Sequence, residues 1–229
     1  MSMLNDKKFC FIICTNSPMY YEECVRYIAR LQVPEGYEVD LLEIQEAKSL
    51  ASAYNEGMQS TDAKYKIYLH QDVFILYPHF LQSILDIFAV NEKIGMIGMV
   101  GDEKMSADGV MWHEKGTGNL YGLEEKKQEP ATSPYHTYRY SVADGMWDVE
   151  SIDGLMMITS VDVPWREDLF DGWDFYDVSQ SFEMRRMGYK IVVPVQKQPW
   201  VLHDDGVLNL RNYDKYRQVF LREYAEMLK

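Results

Sequence analysis

The feature that most constrains this chain is a run without a polar side chain, Phe9-Cys10-Phe11-Ile12-Ile13-Cys14, which opens an alternation of strand and helix patterns. A continuous apolar run of this length is what a strand buried on both faces requires. Ser17-Pro18 then offers a helix cap and a first-turn proline, and Tyr21, Cys24, Val25, Ile28 and Leu31 follow at helical spacing. Pro34-Glu35-Gly36 ends that unit, and 38–44 reads as a second strand. Leu50, Ala53, Tyr54, Gly57 and Met58 form the stripe of a second helix, and 64–69 a third strand. Pro78 starts a helix with Leu81, Ile84, Leu85 and Phe88 inward, and 94–100 is a fourth strand. Strands separated by helices imply right-handed crossovers, so the expected fold class is α/β, a mostly parallel sheet flanked by helices.

The alternation breaks over 101–150, where glycine, charge and scattered aromatic residues predict a hairpin or short helices and a mobile segment around 124–134. A strand is expected over 151–160, then a helix from the acidic-aromatic segment 170–177 to about Met187, ended by Gly188. A strand at 189–195 and a last helix at 213–228 complete the pattern. The aromatic face of that last helix packs on its own domain or serves a dimer or membrane-surface contact, though its mixed charges disfavour an anionic bilayer.

Charge narrows the partners. The 229 residues carry a formal charge of −13, which excludes a broad nucleic-acid face and a polybasic membrane anchor. No apolar run approaches the ~20 residues that span a bilayer. Three cysteines, Cys10, Cys14 and Cys24, without a CxxC pair predict reduced core thiols and a cytoplasmic setting.

In open sheets of this kind ligands bind beyond the carboxyl ends of the strands. Thr15-Asn16, Glu43 and His70-Gln71-Asp72 all fall at such ends. Asp72 can hold a hard divalent cation, with His70 beside it; a solvated turn aspartate is the plain alternative. Asp177, at a helix start, is either a cap or a general base for an acceptor hydroxyl. Asp153, beside Gly154, is a turn residue or an acceptor for a sugar hydroxyl, and His203 in "VLHDDG" is structural or a further metal ligand. Trp173 and Trp200 read as packing residues, with sugar stacking as the alternative. His79, His113 and His136 have no partner pattern. GxSxG, GxGxxG and P-loop signatures are absent, which argues against hydrolase, dehydrogenase and kinase chemistry.

Four blocks in order carry a resemblance: "SLASAYNEGMQST" (49–61), "YKIYLHQDVFI" (65–75), "IDGLMMITSVDV" (152–163) and "FDGWDFYDVSQSFEMRRMGYKIVVP" (170–194). With the opening strand they resemble family 2 glycosyltransferases of the GT-A fold, and more narrowly the StrF-like branch named after a streptomycin-biosynthesis protein. The resemblance implies one domain over 1–229: a nucleotide-binding half (1–100), an acceptor and catalytic half (101–205) and a C-terminal helix (206–229). It implies a nucleotide-sugar donor, a saccharide or glycolipid acceptor, Mn2+ or Mg2+, and inversion by single displacement. By that likeness Thr15, Asn16, Glu43, Asn55, His70 and Asp72 serve the donor, and Asp72 and His203 the metal. Asp153, Gly154 and Trp173 serve the acceptor, and Asp177 is the base. His70 stands where the family's DxD has its first Asp, and Tyr176 where its Glu-Asp pair has Glu. Those departures leave two competing expectations: a degenerate module that binds a nucleotide or glycan, and a metal-dependent nucleotidyltransferase.

Overall fold

The computed structural model describes residues 4–111, 113, 115–122, 139–204 and 210–228. The segment expected to be mobile, 124–134, lies outside the described residues, as does His136. The described chain runs β1 (Asn5–Thr15), α1 (Pro18–Ile28), β2 (Glu38–Gln45), α2 (Leu50–Gln59), β3 (Ala63–His70), β4 (Val73–Ile75), α3 (Phe80–Val90), β5 (Ile94–Gly98) and β6 (Val100–Asp102). Then follow β7 (Gly116–Gly118), β8 (Tyr121–Gly122), a 3-10 turn (Val142–Asp144), β9 (Met146–Val149), β10 (Ser151–Ile152) and β11 (Met156–Thr159). The chain closes with α4 (Tyr176–Arg186), β12 (Lys190–Pro194), β13 (Val201–His203) and α5 (Tyr213–Glu223).

The central sheet has seven strands in the order β2-β1-β3-β11-β5-β12-β9. β1 is parallel to both β2 and β3, and β12 is parallel to β5, while β11 is antiparallel to β3 and β5 and β9 is antiparallel to β12. Five strands therefore share one direction, and the sheet is mixed α/β. The antiparallel insertion comes from the segment expected as one strand at 151–160. It splits at Asp153-Gly154: β10 pairs with β6 in a small side sheet, and the chain turns so that β11 enters the main sheet reversed. Leu155 N–H bonds Asp153 Oδ1 at 2.9 Å and fixes that turn.

Phe9 through Ile13 are fully buried, as the apolar run requires. One core layer packs α1 and α3 on the sheet, through Cys24, Ile28, Phe80, Leu81, Ile84 and Ile87. The other packs α2 and α4, through Tyr54, Met58, Tyr176 and Met184. The aromatic face of α5 packs Tyr216, Phe220 and Tyr224 on Phe170, Phe175 and Phe182 of the same chain. Trp200 is a packing residue, 1% exposed and stacked on Tyr77, and His79 stands at the start of α3. Among the described residues no helix is long and apolar enough to cross a membrane.

Candidate active site

β3 ends at His70, the chain turns through Gln71-Asp72, and β4 begins at Val73. β4 pairs antiparallel with β13, His203 facing Val73, and Asp204 N–H bonds the Asp72 carbonyl at 3.0 Å. This short pairing, which sequence patterning does not reveal, brings His203 to Asp72. His70, Asp72 and His203 each offer a ligand atom, all within 4.8 Å of one another. His203 Nε2 is 3.6 Å from Asp72 Oδ1, too long for a hydrogen bond, and that oxygen is buried without a hydrogen-bond partner. A buried carboxylate oxygen without a donor is a position a cation satisfies. Burial holds the His70 pKa below its usual value, which keeps a ring lone pair available. Burial alone would raise Asp72, but His203 and then His70 outweigh it and hold the carboxyl below its ordinary range.

Gln71 holds this turn in place, a role its sequence position does not suggest. Its Oε1 accepts from the N–H groups of Asn16 (3.0 Å) and Ser17 (2.9 Å), and its Nε2 donates to Asn16 Oδ1 at 2.6 Å. Thr15 Oγ1 donates to Glu43 Oε1 at 2.8 Å, joining the ends of β1 and β2. Ser17 precedes α1, but its side chain makes no capping bond.

Three cavities follow one another across this sheet edge. Thr15, Asn16, Glu43 and Glu46 line the first, of about 360 Å³. The second, about 300 Å³, shares Thr15, Asn16 and Glu46 with it and adds His70, Gln71, Asp72 and Trp173. The third, about 500 Å³, shares His70 and Trp173 with the second and adds Asp153, Asp174, Tyr176 and Asp177, with Met111, Leu210 and Tyr213 as apolar walls. Asp72 and Asp177 therefore border adjoining cavities, and Trp173, 54% exposed, stands between them. A larger cavity of about 710 Å³ lies near the starts of β3 and β5, at the opposite sheet edge, and is lined by none of these residues.

Asp177 sits in the first turn of α4, where the helix dipole favours an anion. Gly154 N–H bonds its Oδ2 at 2.9 Å and Val178 N–H its Oδ1 at 2.8 Å. Burial, and then the negative charge of Asp153, nonetheless push the carboxyl up to about 7. Phe175, which caps the start of α4, has φ +63°, a left-handed conformation that is uncommon for a bulky side chain. Its ring is held by Tyr213 and Phe220, and the strained step directs Tyr176 and Asp177 into the cavity. Glu46, beside the first two cavities, is the other described non-glycine residue with positive φ, at +55°.

Tyr176 Oη lies 2.6 Å from His70 Nε2, linking α4 to the end of β3. A Cβ on Gly154 would meet that Oη at 2.0 Å, so only glycine fits. Gly154→Ala is expected to cost about 1–3 kcal/mol by overpacking, read from urea denaturation, and to displace Tyr176.

Asn55, expected at the donor, lies elsewhere. It is buried, its Nδ2 donates to the Trp165 carbonyl at 3.0 Å and its Oδ1 accepts from Trp165 N–H at 2.9 Å. Both ends of the amide serve to fasten α2, so Asn55 is a structural clamp. His113, which has no partner pattern in the sequence, borders the third cavity and pairs with Asp108 at 3.0 Å. Asp174, whose carboxyl burial raises, and Tyr213 also line it; the only sequence signal for Asp174 is its place in the acidic-aromatic segment 170–177, and Tyr213 stands at the start of the last helix.

The fold has solved relatives. GalNAc-T7, solved with UDP, GalNAc and Mn2+, matches 98% of this chain and 50% of its own at 12% identity, with a TM-score of 0.59. S. aureus TarS residues 1–349 with UDP-GlcNAc matches 97% and 67% at 10% identity (TM-score 0.57). The Pyrobaculum calidifontis mannosyltransferase PcManGT with GDP-Man and Mn2+ matches 99% and 67% at 10% identity (TM-score 0.56). The chain thus spans half to two thirds of these proteins, which share its GT-A architecture. No curated protein matches in sequence. The model of a family described as "Glycosyltransferase like family" matches residues 10–224, nearly the whole chain, and the chain belongs to that family.

Proposed function

We propose that this chain transfers a sugar from a nucleotide-sugar donor to a saccharide or glycolipid acceptor, with inversion. The observation that carries this reading is the pair of adjoining cavities sharing His70 and Trp173, one bordered by the Asp72 cluster and the other by Asp177. The cavity of Thr15, Asn16 and Glu43 takes the base and ribose. The solved neighbours carry UDP, UDP-GlcNAc or GDP-Man, which supports a uridine or guanosine donor. The apolar wall of Met111, Leu210 and Tyr213 beside Asp153 suits an acceptor with both a hydroxylated and an apolar part.

Asp177 takes the proton of the acceptor hydroxyl as that oxygen attacks the anomeric carbon, and the bond to the nucleoside diphosphate breaks on the opposite face. A base with a carboxyl raised to about 7 is strong enough to accept this proton near neutral pH. Gly154 N–H and Val178 N–H hold its two oxygens, and Asp153 receives a hydroxyl of the acceptor. The cluster fits a divalent cation, which would supply positive charge beside the leaving diphosphate. Two imidazoles with one carboxylate suit Mn2+ better than Mg2+, which prefers oxygen ligands. The four sequence blocks support the narrower StrF-like assignment, and the three free thiols fit a cytoplasmic setting.

Thermal unfolding with UDP, GDP and their sugars, with and without Mn2+, tests the reading. The expected result is stabilisation by one nucleotide series that requires Mn2+, about 2.7 kcal/mol at a hundredfold excess over Kd, with release of nucleoside diphosphate. No stabilisation by any of them would overturn it. Pyrophosphate release would replace it with nucleotidyl transfer. Binding without turnover would favour a non-catalytic module, the reading that Tyr176 in place of an acid keeps open.

A further inference from the structure

We propose that Tyr176 is a positioning residue for the cation cluster, its hydroxyl oxygen accepting a hydrogen bond from His70 Nε2–H and so fixing the ring. The inference rests on the reading of His70, Asp72 and His203 as a cation site, and goes beyond it by giving a second role to the residue that stands where an acid is expected. Tyr176 Oη is 2.6 Å from His70 Nε2. The Tyr176 side chain is 5% exposed and its ring is fixed by Tyr54, at 5.9 Å between centroids, and by Trp165, at 6.3 Å. A Cβ on Gly154 would collide with the hydroxyl, so the glycine leaves it room at this place. The hydroxyl is thus held at one place by packing, and the imidazole can turn only by giving up that bond.

With Nε2 carrying the ring proton and donating it to that hydroxyl, the lone pair left for a cation is on Nδ1. A partner on the far nitrogen fixes ring orientation and tautomer and strengthens the ligating nitrogen, which is what metal-bound histidines generally require. Tyr176 is also the residue before Asp177, in the first turn of α4. One hydrogen bond therefore joins the end of β3, where the donor diphosphate is proposed to lie, to the helix turn that presents the proposed base. A carboxylate at position 176 would add negative charge beside Asp153 and Asp177; a phenol bonds His70 without that charge.

The test is Mn2+ binding to the full chain without nucleotide, followed by the paramagnetic resonance of free Mn2+. Tyr176→Phe keeps the ring and removes the hydroxyl. It is expected to weaken Mn2+ binding about 10- to 100-fold while the thermal unfolding midpoint of the metal-free protein stays within the parent's range. In a His70→Ala background the same substitution should have no further effect, because the hydroxyl acts through that ring. Asp72→Ala serves as the control for the site itself. If Asp72→Ala abolishes Mn2+ binding and Tyr176→Phe leaves it unchanged, the positioning role is overturned and the cation site stands. Tighter Mn2+ binding in Tyr176→Phe would show a hydroxyl that competes with the cation and would overturn it too. If Asp72→Ala binds Mn2+ as the parent does, the cation site and the inference fall together.

Discussion

Asp177→Asn is expected to lower sugar transfer by about 10²–10⁴-fold while leaving nucleotide and Mn2+ binding near the parent's values. The donor cavities do not include Asp177, so its removal changes proton transfer rather than donor affinity. The pH dependence supplies a second reading of the same group. The base must be ionised, so transfer by the parent should rise with pH through about 7, where burial and the charge of Asp153 have set the carboxyl. Stability moves the other way. The folded pKa lies above that of the unfolded chain, so the native state holds a proton that the unfolded state has released. The protonated carboxyl's contribution is fully present below the unfolded pKa and is lost as pH rises through about 7. The Asn variant lacks this loss, and its unfolding midpoint relative to the parent should be higher at about pH 8 than at about pH 5. One amide oxygen cannot accept from both Gly154 and Val178, which lowers the variant's stability at every pH but does not alter that slope. Transfer at the parent rate by Asp177→Asn would remove Asp177 as the base.

Much of this frame is legible in the residues because burial writes itself into periodicity. The run at 9–14 can only be a strand covered on both faces, and Gly188, at φ +86°, ends α4 where a left-handed position is needed. What the pattern does not contain are contacts between segments far apart in the chain. β4 and β13 are three residues each, too short for a period, yet their pairing decides that His203 meets Asp72. The split of 151–160 is only half visible: Asp153-Gly154 reads as a turn, but the reversal depends on Asp153 bonding Leu155 N–H and Asp177 bonding Gly154 N–H, the second a contact from a distant segment. Asn55 is the instructive failure. The resemblance alone places its Asn-x-Gly at the donor, but the carbonyl and N–H of Trp165 take both ends of the amide, and a sequence does not display which buried backbone needs a partner. The left-handed turn at Phe175 carries no local signal at all, since nothing about an aromatic residue favours φ +63°.

Asp72→Ala is expected to weaken Mn2+ binding by about 100-fold or more and to make nucleoside diphosphate binding indifferent to Mn2+. Asp72 is the only carboxylate of the cluster, and two imidazoles alone do not provide the hard anionic oxygen that suits a divalent ion beside a diphosphate. Truncation should be tolerated by the fold. Oδ1 gives up no hydrogen bond, only its 3.6 Å approach to His203 Nε2, and the backbone carbonyl of residue 72 keeps its bond from Asp204 N–H at 3.0 Å. Asp72→Asn separates charge from shape: the amide oxygen can still approach the ion, so its affinity should fall between parent and alanine. His203→Ala should weaken Mn2+ less than Asp72→Ala, since the carboxylate and His70 remain. The measurement is calorimetric titration of Mn2+, then of UDP and GDP with and without it. An Asp72→Ala variant that binds nucleoside diphosphate with the parent's Mn2+ dependence would mean the ion sits elsewhere, and the alignment of three cavities along the sheet edge would then have to be explained without it.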